Sequence, residues 1–276
     1  MLMLAALSCT TESRPTAEPA STSGPTTSVE RADGDEPIES TGSHGLDLIS
    51  VEDPSAFTCL LDLGRGEAEI FDQRTDTLAV HPDAFLYVAH YDDGTSIDFR
   101  LHPEFETAAA AREEVDRYIT PLGQLPTMLR SGIERIAILK GDETAQGDGD
   151  GEGIHIHSGN AEQRITDLRL EETLFHESIH TSLDDLYINT PGWKQAQQAD
   201  GAFLTSYARA NPNREDFAET ALYAYALTYH RDRIPDAAAQ AWQARIPARL
   251  EFFEAIFPAG GSIFATTETH SDCENS

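Results

Sequence analysis

The order of predicted strands and helices is the feature that most constrains the fold of this chain. FLYVAHY (85–91) and TSIDFRL (95–101) flank an Asp-Asp-Gly turn, and hydrophobic residues alternate with polar ones along the second segment, which is typical of a β-hairpin. After residue 161, nearly every segment has hydrophobic residues at helical spacing. Strands that come first and helices that follow predict an α+β fold, in which N-terminal antiparallel strands precede a mostly helical region.

Further segments fit the same order. The pattern at 106–119 contains helix formers throughout and is closed by Pro121 and Gly123. The last helical pattern contains Pro247, where we expect a kink. Additional strands are predicted at AFTCLLDL (56–63), EAEIF (67–71), IERIAIL (133–139) and GIHIHSG (153–159), and helices over 106–119, 163–184, 193–208, 213–232 and 236–256.

The charge of the chain excludes one class of partner. Of the 276 residues, 39% are hydrophobic, which is compatible with a packed core. The formal net charge is −29, because 48 acidic residues stand against 19 Lys and Arg. Proteins bind nucleic acids by replacing counterions with Lys and Arg. The excess of acidic residues therefore argues against a nucleic-acid partner.

The first 45 residues differ in composition from the rest. MLMLAALSC (1–9) resembles the end of a bacterial lipoprotein signal, in which Cys9 becomes the lipidated first residue. This resemblance implies an exported protein of the bacterial cell envelope, periplasmic or at the cell surface, that meets the membrane only through a lipid on Cys9. The alternative is an ordinary N-terminus with a chance cysteine. Residues 10–45 are dominated by Ser, Thr, Pro, Gly and acids, which predicts a disordered tether.

Two further cysteines lie near the ends of the predicted folded part. Cys59 precedes most of the predicted strands, and Cys273 is close to the end of the sequence. In an oxidising compartment they could pair and hold the C-terminal segment. Two unpaired cysteines are an equally open alternative.

The stretch EETLFHESIHTSLDD (171–185) contains candidate metal ligands. It belongs to an amphipathic helix pattern without proline or glycine, so His176 and His180 lie one turn apart on the same face. That spacing lets two imidazoles bind one zinc ion while Glu177 reaches a water molecule bound to the metal. The sequence therefore predicts a catalytic zinc site with Glu177 as general base and acid.

A third ligand is predicted one helix further along the chain. Glu215 and Glu219 are four residues apart on one face of a helix for which Asn213 is a suitable N-cap. A carboxylate from this helix would complete a site of three protein ligands with an open fourth position.

Together, the two motifs resemble those of a known peptidase group. The stretch EDFAE (215–219) matches the motif Glu-Phe-Phe-Ala-Glu at four of five positions. With its His-Glu-x-x-His motif, the chain resembles the gluzincin zinc metallopeptidases of the lethal-factor and titration-factor types over residues 171 to about 227. The resemblance implies that Glu215 is a metal ligand, that Glu219 orients a ligand, and that Tyr207 donates a hydrogen bond to the reaction oxyanion.

The resemblance also implies an architecture. We expect a zincin-like, mostly helical catalytic region with an edge strand before the active-site helix, and zincin-type peptidases hold an extended substrate along such a strand. The sequence places this strand at 153–158. The expected parts are a partial lipoprotein-type signal (1–9), a disordered tether (10–45), an N-terminal β region (46–104) and a zincin-like metallopeptidase domain (105–276).

The resulting hypothesis is a zinc-dependent hydrolase that cleaves peptide bonds of peptide or protein substrates by metal-activated water. Asp184 is expected to hydrogen-bond a histidine ligand. The alternative is a non-catalytic surface binding protein that zinc only stabilises. Such a site would have a fourth protein ligand, for which His155 and His157 are the first candidates.

Overall fold

The computed structural model of the chain describes residues 38–147, 153–260, 263–265 and 273. The predicted signal (1–9) and the predicted tether as far as residue 37 lie outside the described residues. The last residues assigned to the tether, 38–45, pack against the helices: Thr41 is buried, and His44 Nε2 lies 3.2 Å from a carboxylate oxygen of Glu172. The prediction that the tether extends to residue 45 is wrong for this segment, because its few apolar and polar side chains have partners in the helical region.

A six-stranded sheet is formed by the described part of the chain, with the order β1-β2-β3-β4-β6-β5. The first three strands are antiparallel, β4 and β6 run parallel to β3, and β5 is antiparallel to β6 at the edge. The strands are β1 (Phe57–Asp72), β2 (Thr77–Tyr91), β3 (Ser96–Leu101), β4 (Arg135–Leu139), β5 (Gln146–Gly147) and β6 (Gly153–His157).

The predicted hairpin is confirmed as β2 and β3. Ile97, Phe99 and Leu101 are fully buried, and the polar residues between them point to the other face. The two predicted strands before the hairpin form the single strand β1, because shifts in the register with β2 on either side of Gly64 let the pairing continue. Gly64 has a φ of 77°, which glycine adopts at little cost.

The sheet continues across the expected boundary between residues 104 and 105. β3 pairs in parallel with β4, and the chain between them passes through α1 (Ala108–Gln124) and α2 (Thr127–Arg130). The expected N-terminal β region and the region after it therefore share one sheet. The content is mixed α/β, as predicted at this coarse level.

The C-terminal half is mostly helical, but its helices are shorter than the sequence predicts. The predicted helix 163–184 is interrupted at Leu168, which has a φ of 55°. Leu168 is 58% exposed, so it is not part of the buried hydrophobic face of the helix that follows. No helix in the described part of the chain has the length and apolar character needed to cross a membrane. The helices are α3 (Ser158–Thr166), α4 (Leu170–Tyr187), α5 (Pro191–Asp200), α6 (Ser206–Ala210), α7 (Asp216–Tyr229), α8 (Asp236–Arg245) and α9 (Pro247–Glu254), and three-residue 3-10 helices lie at Thr41–Ser43, Pro103–Phe105 and Arg231–Arg233.

A disulfide bond joins Cys59 in β1 to Cys273. The main core lies between one face of the sheet and the helices, and α4 packs within it against α7, α1 and α2. Phe175, Ile179 and Leu183 hold α4 in this core and are buried. The opposite side of α4 is thereby fixed in direction, and it carries the predicted metal ligands.

Candidate metal centre

The two histidines of α4 point into one site. His176 and His180 are both buried, and their Nε2 atoms lie 3.2 Å apart. The helix places them one turn apart on the same face, as the spacing of the motif predicts. The side of α4 that carries Phe175 and Ile179 anchors the helix in the core, so the two imidazoles have little freedom to turn away from each other.

Glu215 completes the cluster from a different part of the chain. Its Oε2 atom lies 3.2 Å from Nε2 of His180 and 3.4 Å from Nε2 of His176. Asn213 does not cap α7, because the helix begins only at Asp216 and Glu215 itself occupies the N-cap position. The prediction of Asn213 as N-cap is therefore wrong: residues 211–215 form turns that bring Glu215 over α4.

The donor set fits a metal ion. One ligand atom from each of His176, His180 and Glu215 can be chosen so that all lie within 4.8 Å of one another, and among the described residues no other His, Cys, Asp or Glu joins this group. His155 and His157, the candidates for a fourth ligand, lie on β6 outside the cluster. His155 packs against Phe71, with ring centroids 5.5 Å apart. Two imidazoles and one carboxylate are the donor set of a catalytic zinc site with an open position.

The charges in the cluster reinforce one another. Burial lowers the pKa of His180, but hydrogen bonds to Asp184 and Glu215 outweigh burial and raise this pKa to about 10. Burial alone would raise the pKa of Glu215, yet hydrogen bonds to the two imidazoles hold it well below its usual range. Without a metal, a proton on His180 therefore balances the ionised carboxylate. A bound cation would take the place of that proton.

A carboxylate lies near the outer nitrogen of each imidazole. Oδ2 of Asp184 lies 2.7 Å from Nδ1 of His180, which agrees with the predicted role of Asp184. Oε1 of Glu219 lies 3.7 Å from Nδ1 of His176, and the hydroxyl oxygen of Thr41 lies within hydrogen-bond distance of both atoms. Such partners fix the tautomer and the orientation of a metal-binding histidine.

Glu177 lies beside the cluster and is held by the backbone. The backbone N–H of Gly147 donates to its Oε2 over 2.6 Å. Burial raises the pKa of Glu177, which brings this carboxylate closer to the range of a general base. A Cβ at position 147 would come within 2.4 Å of the backbone oxygen of Glu177, so only glycine allows this close approach.

The edge of the sheet beside the site is not the strand that the sequence indicates. β6 is covered by β5, because Gln146 and Gly147 pair with His155 and Ile154. The predicted placement of the edge strand at 153–158 is therefore wrong, and β5 is the edge. This short strand lies in a glycine-rich acidic segment without a hydrophobic pattern, which explains why the sequence does not reveal it.

Tyr207 lies on α6 at the mouth of the cluster. Its hydroxyl donates to Glu215, and burial together with the negative charge of Glu215 raises the pKa of Tyr207 to about 12. The side chain is 43% exposed, so one side of it faces the open space in front of the ligands. Nε of Arg214 lies 3.3 Å from Oε1 of Glu215.

These side chains line one cleft with a volume of about 590 Å³. The lining includes residues 144–146 and 39–42, together with Tyr207 and Arg214. Its floor carries the histidines, Glu177 and Glu215. The cleft is large enough to admit a segment of peptide chain.

Two contributors to the site are not predicted by the sequence. Thr41 belongs to the segment assigned to the tether, and Gly147 belongs to β5, in a part of the sequence without a hydrophobic pattern. Both act through contacts with residues far away in the chain, and no local pattern indicates such contacts.

A buried network also supports Glu215. Its neighbour Asp216 accepts hydrogen bonds from Arg249 over 2.6 Å and from Gln197 over 2.8 Å, and both Asp216 and Arg249 are fully buried.

No protein-family model, curated protein or solved structure matches this chain.

Proposed function

We propose that this chain is a zinc-dependent metallopeptidase of the gluzincin type. The observation that carries the proposal is the convergence of two imidazoles and one carboxylate at the floor of an open cleft, with a second carboxylate, Glu177, directly beside them. A purely structural zinc site has four protein ligands and no need for such a base.

A bound zinc ion would polarise the carbonyl group of the scissile bond and lower the pKa of a water molecule. His176, His180 and Glu215 would hold the ion. Zinc is favoured over harder cations because imidazole suits zinc well, whereas magnesium and calcium prefer oxygen ligands.

The protein residues divide the acid and base chemistry. Glu177 accepts the proton of the attacking water and passes it to the leaving amine. The N–H of Gly147 fixes the carboxylate in position for both transfers. In this proposal the hydroxyl of Tyr207 leaves Glu215 and donates a hydrogen bond to the oxyanion that forms in the transition state. In this proposal Glu219 and Asp184 orient the imidazoles.

The substrate is proposed to be an extended peptide. Among the strands of the described residues, β5 is the last in the sheet order, and residues 144–146 line the cleft. A peptide that adds to this edge would run past Glu177, with backbone hydrogen bonds to β5. This replaces the edge of β6, which β5 already occupies.

The rival hypothesis, a surface binding protein stabilised by zinc, has less support. It requires a fourth protein ligand, and no such residue joins the cluster in the described ranges. The proposed location is the cell envelope of a bacterium. The disulfide between Cys59 and Cys273 supports an oxidising compartment, whereas Cys9 and its proposed lipid lie outside the described residues.

The proposal is tested by separating metal binding from hydrolysis. After mild chelation and re-addition of stoichiometric zinc, the full chain is expected to retain about one zinc per molecule, and Glu215→Ala markedly less. Glu177→Gln should keep the zinc but lower kcat/KM for a quenched-peptide library by about 10²- to 10⁴-fold. Glu113→Gln, an exposed glutamate on α1, is the matched control.

Two results would contradict the proposal. Zinc retention that does not depend on Glu215 would show that the cluster is not the metal site. Undiminished hydrolysis by Glu177→Gln would remove Glu177 from the reaction and with it the peptidase mechanism.

A further inference from the structure

The segment just before the sheet is attached to the proposed catalytic cleft. Ile38 pairs with Thr205, and the backbone N–H of Ser206 donates to the oxygen of Ile38 over 2.7 Å. The N–H of Tyr207 donates to the oxygen of Glu39 over 2.9 Å. These bonds lay residues 38–43 along α6 and over the N-terminal half of α4. They bring Thr41, which is 7% exposed, to the back of the metal cluster.

Thr41 binds the carboxylate of Glu219 twice. Its backbone N–H donates to Oε2 and its hydroxyl donates to Oε1, each over 3.0 Å. The same hydroxyl oxygen lies 3.4 Å from Nδ1 of His176. Glu219 is 1% exposed and belongs to α7, so three distant parts of the chain meet at this hydroxyl.

The direction of these hydrogen bonds follows from the chemistry of the groups. An ionised carboxylate only accepts, so the hydroxyl proton of Thr41 is directed to Glu219. The lone pairs of the hydroxyl oxygen are then left for Nδ1 of His176, which must carry the proton. This tautomer leaves Nε2 of His176 with a free lone pair, and Nε2 is the atom that faces His180 and Glu215.

His180 is held in a simpler way. Its Nδ1 meets Asp184 directly at 2.7 Å. The carboxylate of Glu219 is too far from Nδ1 of His176 for a hydrogen bond, at 3.7 Å. The hydroxyl of Thr41 bridges this gap. Asp184 therefore orients His180 by a direct hydrogen bond, whereas Glu219 acts on His176 through the hydroxyl group of Thr41.

We infer that Thr41 is a positioning residue of the metal centre, which fixes the Nδ1-protonated tautomer of His176 by linking it to Glu219. The inference rests on the proposed function, because it assumes that Nε2 of His176 binds the metal. The inference assigns residues 38–43 to the catalytic unit. Through Thr41, this segment helps to orient His176, although it belongs to neither α4 nor α7.

The test compares Thr41→Val with Thr41→Ser in the full chain. Valine has nearly the shape of threonine and keeps the backbone N–H to Glu219, but it removes the hydroxyl. Cobalt(II) is the probe, and its affinity is measured by competition with a chelator. Thr41→Val should bind cobalt about 10- to 100-fold more weakly than the parent, and Thr41→Ser should be close to the parent. Thr75→Val, on an exposed turn, controls for the loss of a threonine hydroxyl.

A second readout follows the proton itself. The cobalt-loaded parent should show two strongly shifted, exchangeable imidazole N–H signals in its proton NMR spectrum. Thr41→Val should lose or broaden one of them through exchange with water, and Asp184→Asn should affect the other. Thr41→Ser should keep both signals. A merely structural role of Thr41 would not remove one signal selectively.

The outcomes separate the two proposals. If the parent binds cobalt through His176, His180 and Glu215 but Thr41→Val keeps the parent affinity and both signals, the role of Thr41 is overturned and the proposed function stands. If Thr41→Ser is as weak as Thr41→Val, the hydroxyl is not the cause and the inference also fails. If the parent binds no cobalt at these ligands, the proposed function fails and the role of Thr41 fails with it.

Discussion

At the scale of single residues, the candidate site separates buried side chains that could hold a metal from a more exposed side chain at the mouth of the cleft. His176, His180 and Glu215 are each less than 10% exposed, whereas Tyr207 is 43% exposed at the mouth of the cleft. Buried ligands keep a fixed geometry, and an exposed hydroxyl can meet a group that arrives from solution. The burial of each side chain therefore agrees with the role proposed for it.

This separation gives a prediction for Tyr207. Tyr207→Phe removes the hydroxyl but keeps the ring, so kcat should fall by about 10²- to 10³-fold because the oxyanion loses a donor. The zinc content should remain that of the parent, since the three ligands are unchanged. Steady-state kinetics on a cleaved peptide and metal analysis of the same sample check both points. An unchanged kcat would assign Tyr207 to packing alone.

Asp184 offers a prediction about metal affinity. Asp184→Asn weakens the bond to Nδ1 of His180, and zinc affinity should fall by about 10- to 100-fold. The neighbouring Asp185→Asn is the control, because Asp185 is exposed and has the same charge. Chelator competition measures both variants. If Asp185→Asn weakens zinc binding as much as Asp184→Asn does, the negative charge of this part of α4 matters and the contact with His180 does not.

The sequence predicts the residues of the site that lie in local patterns. His176, Glu177, His180 and Asp184 follow one another on a single helix, so spacing alone brings them to one face. Thr41 could not be predicted, because it meets His176 across 135 positions of the chain. Single-sequence patterns report on neighbours along the chain, and this contact depends on how the whole domain folds.

At the scale of elements, one buried guanidinium connects the hairpin to the helices that support α4. Arg130 in α2 is fully buried and pairs with Asp93 in the turn between β2 and β3. It also donates to the carbonyl oxygens of Leu122 and Leu125 at the end of α1. Ser182 of α4 then donates to the oxygen of Leu129 over 2.6 Å, so α2 contacts directly the helix that carries the two candidate histidine ligands.

Asp93→Asn should destabilise the fold by about 3 kcal/mol at neutral pH, because it leaves the buried charge of Arg130 without its counterion. Burial alone would raise the pKa of Asp93, but hydrogen bonds from Thr127 and Thr95 and the charge of Arg130 lower it. A lowered pKa stabilises the folded state above the usual carboxyl range and loses this effect as the pH falls below about 4. The difference between parent and variant should therefore shrink in acid.

Urea unfolding of both proteins at several pH values measures this difference. Asp116→Asn, which removes one carboxylate of an exposed pair with Arg112, is the control. A difference between parent and Asp93→Asn that stays constant down to acid pH would contradict the assignment. The sequence predicts the turn that contains Asp93 but not its partner, which lies 37 positions away.

At the scale of the whole molecule, one sheet and one disulfide join regions that the sequence separates. Hydrophobic alternation predicts most of the strands, yet it does not indicate that β3 pairs with β4 or that β5 covers β6. The order of strands in a sheet depends on long-range packing. The hydrophobic alternation of one strand is compatible with several different neighbouring strands. The sequence therefore does not indicate that the predicted β region and the region after it share one sheet.

The disulfide is expected to contribute strongly to stability. Replacing both Cys59 and Cys273 by serine should lower the free energy of unfolding by about 2–5 kcal/mol, because the unfolded chain loses a cross-link across 214 positions. Urea unfolding of the oxidised parent, the reduced parent and the double variant measures the effect. The reduced parent should resemble the double variant. Equal stability of all three would mean that the cross-link does not constrain the unfolded chain.

The hydrogen bonds between Thr41 and Glu219 span 178 positions, and this separation also sets an order in time. Chains are made from the N-terminus at about 5–20 residues per second, so roughly 9–36 s pass between the synthesis of Thr41 and that of its partner Glu219. During that interval His176 can be made and even wound into its helix, but its outer nitrogen has no fixed neighbour. The support of the centre is therefore completed only after α7 has begun to be synthesised, before α8, α9 and Cys273 exist.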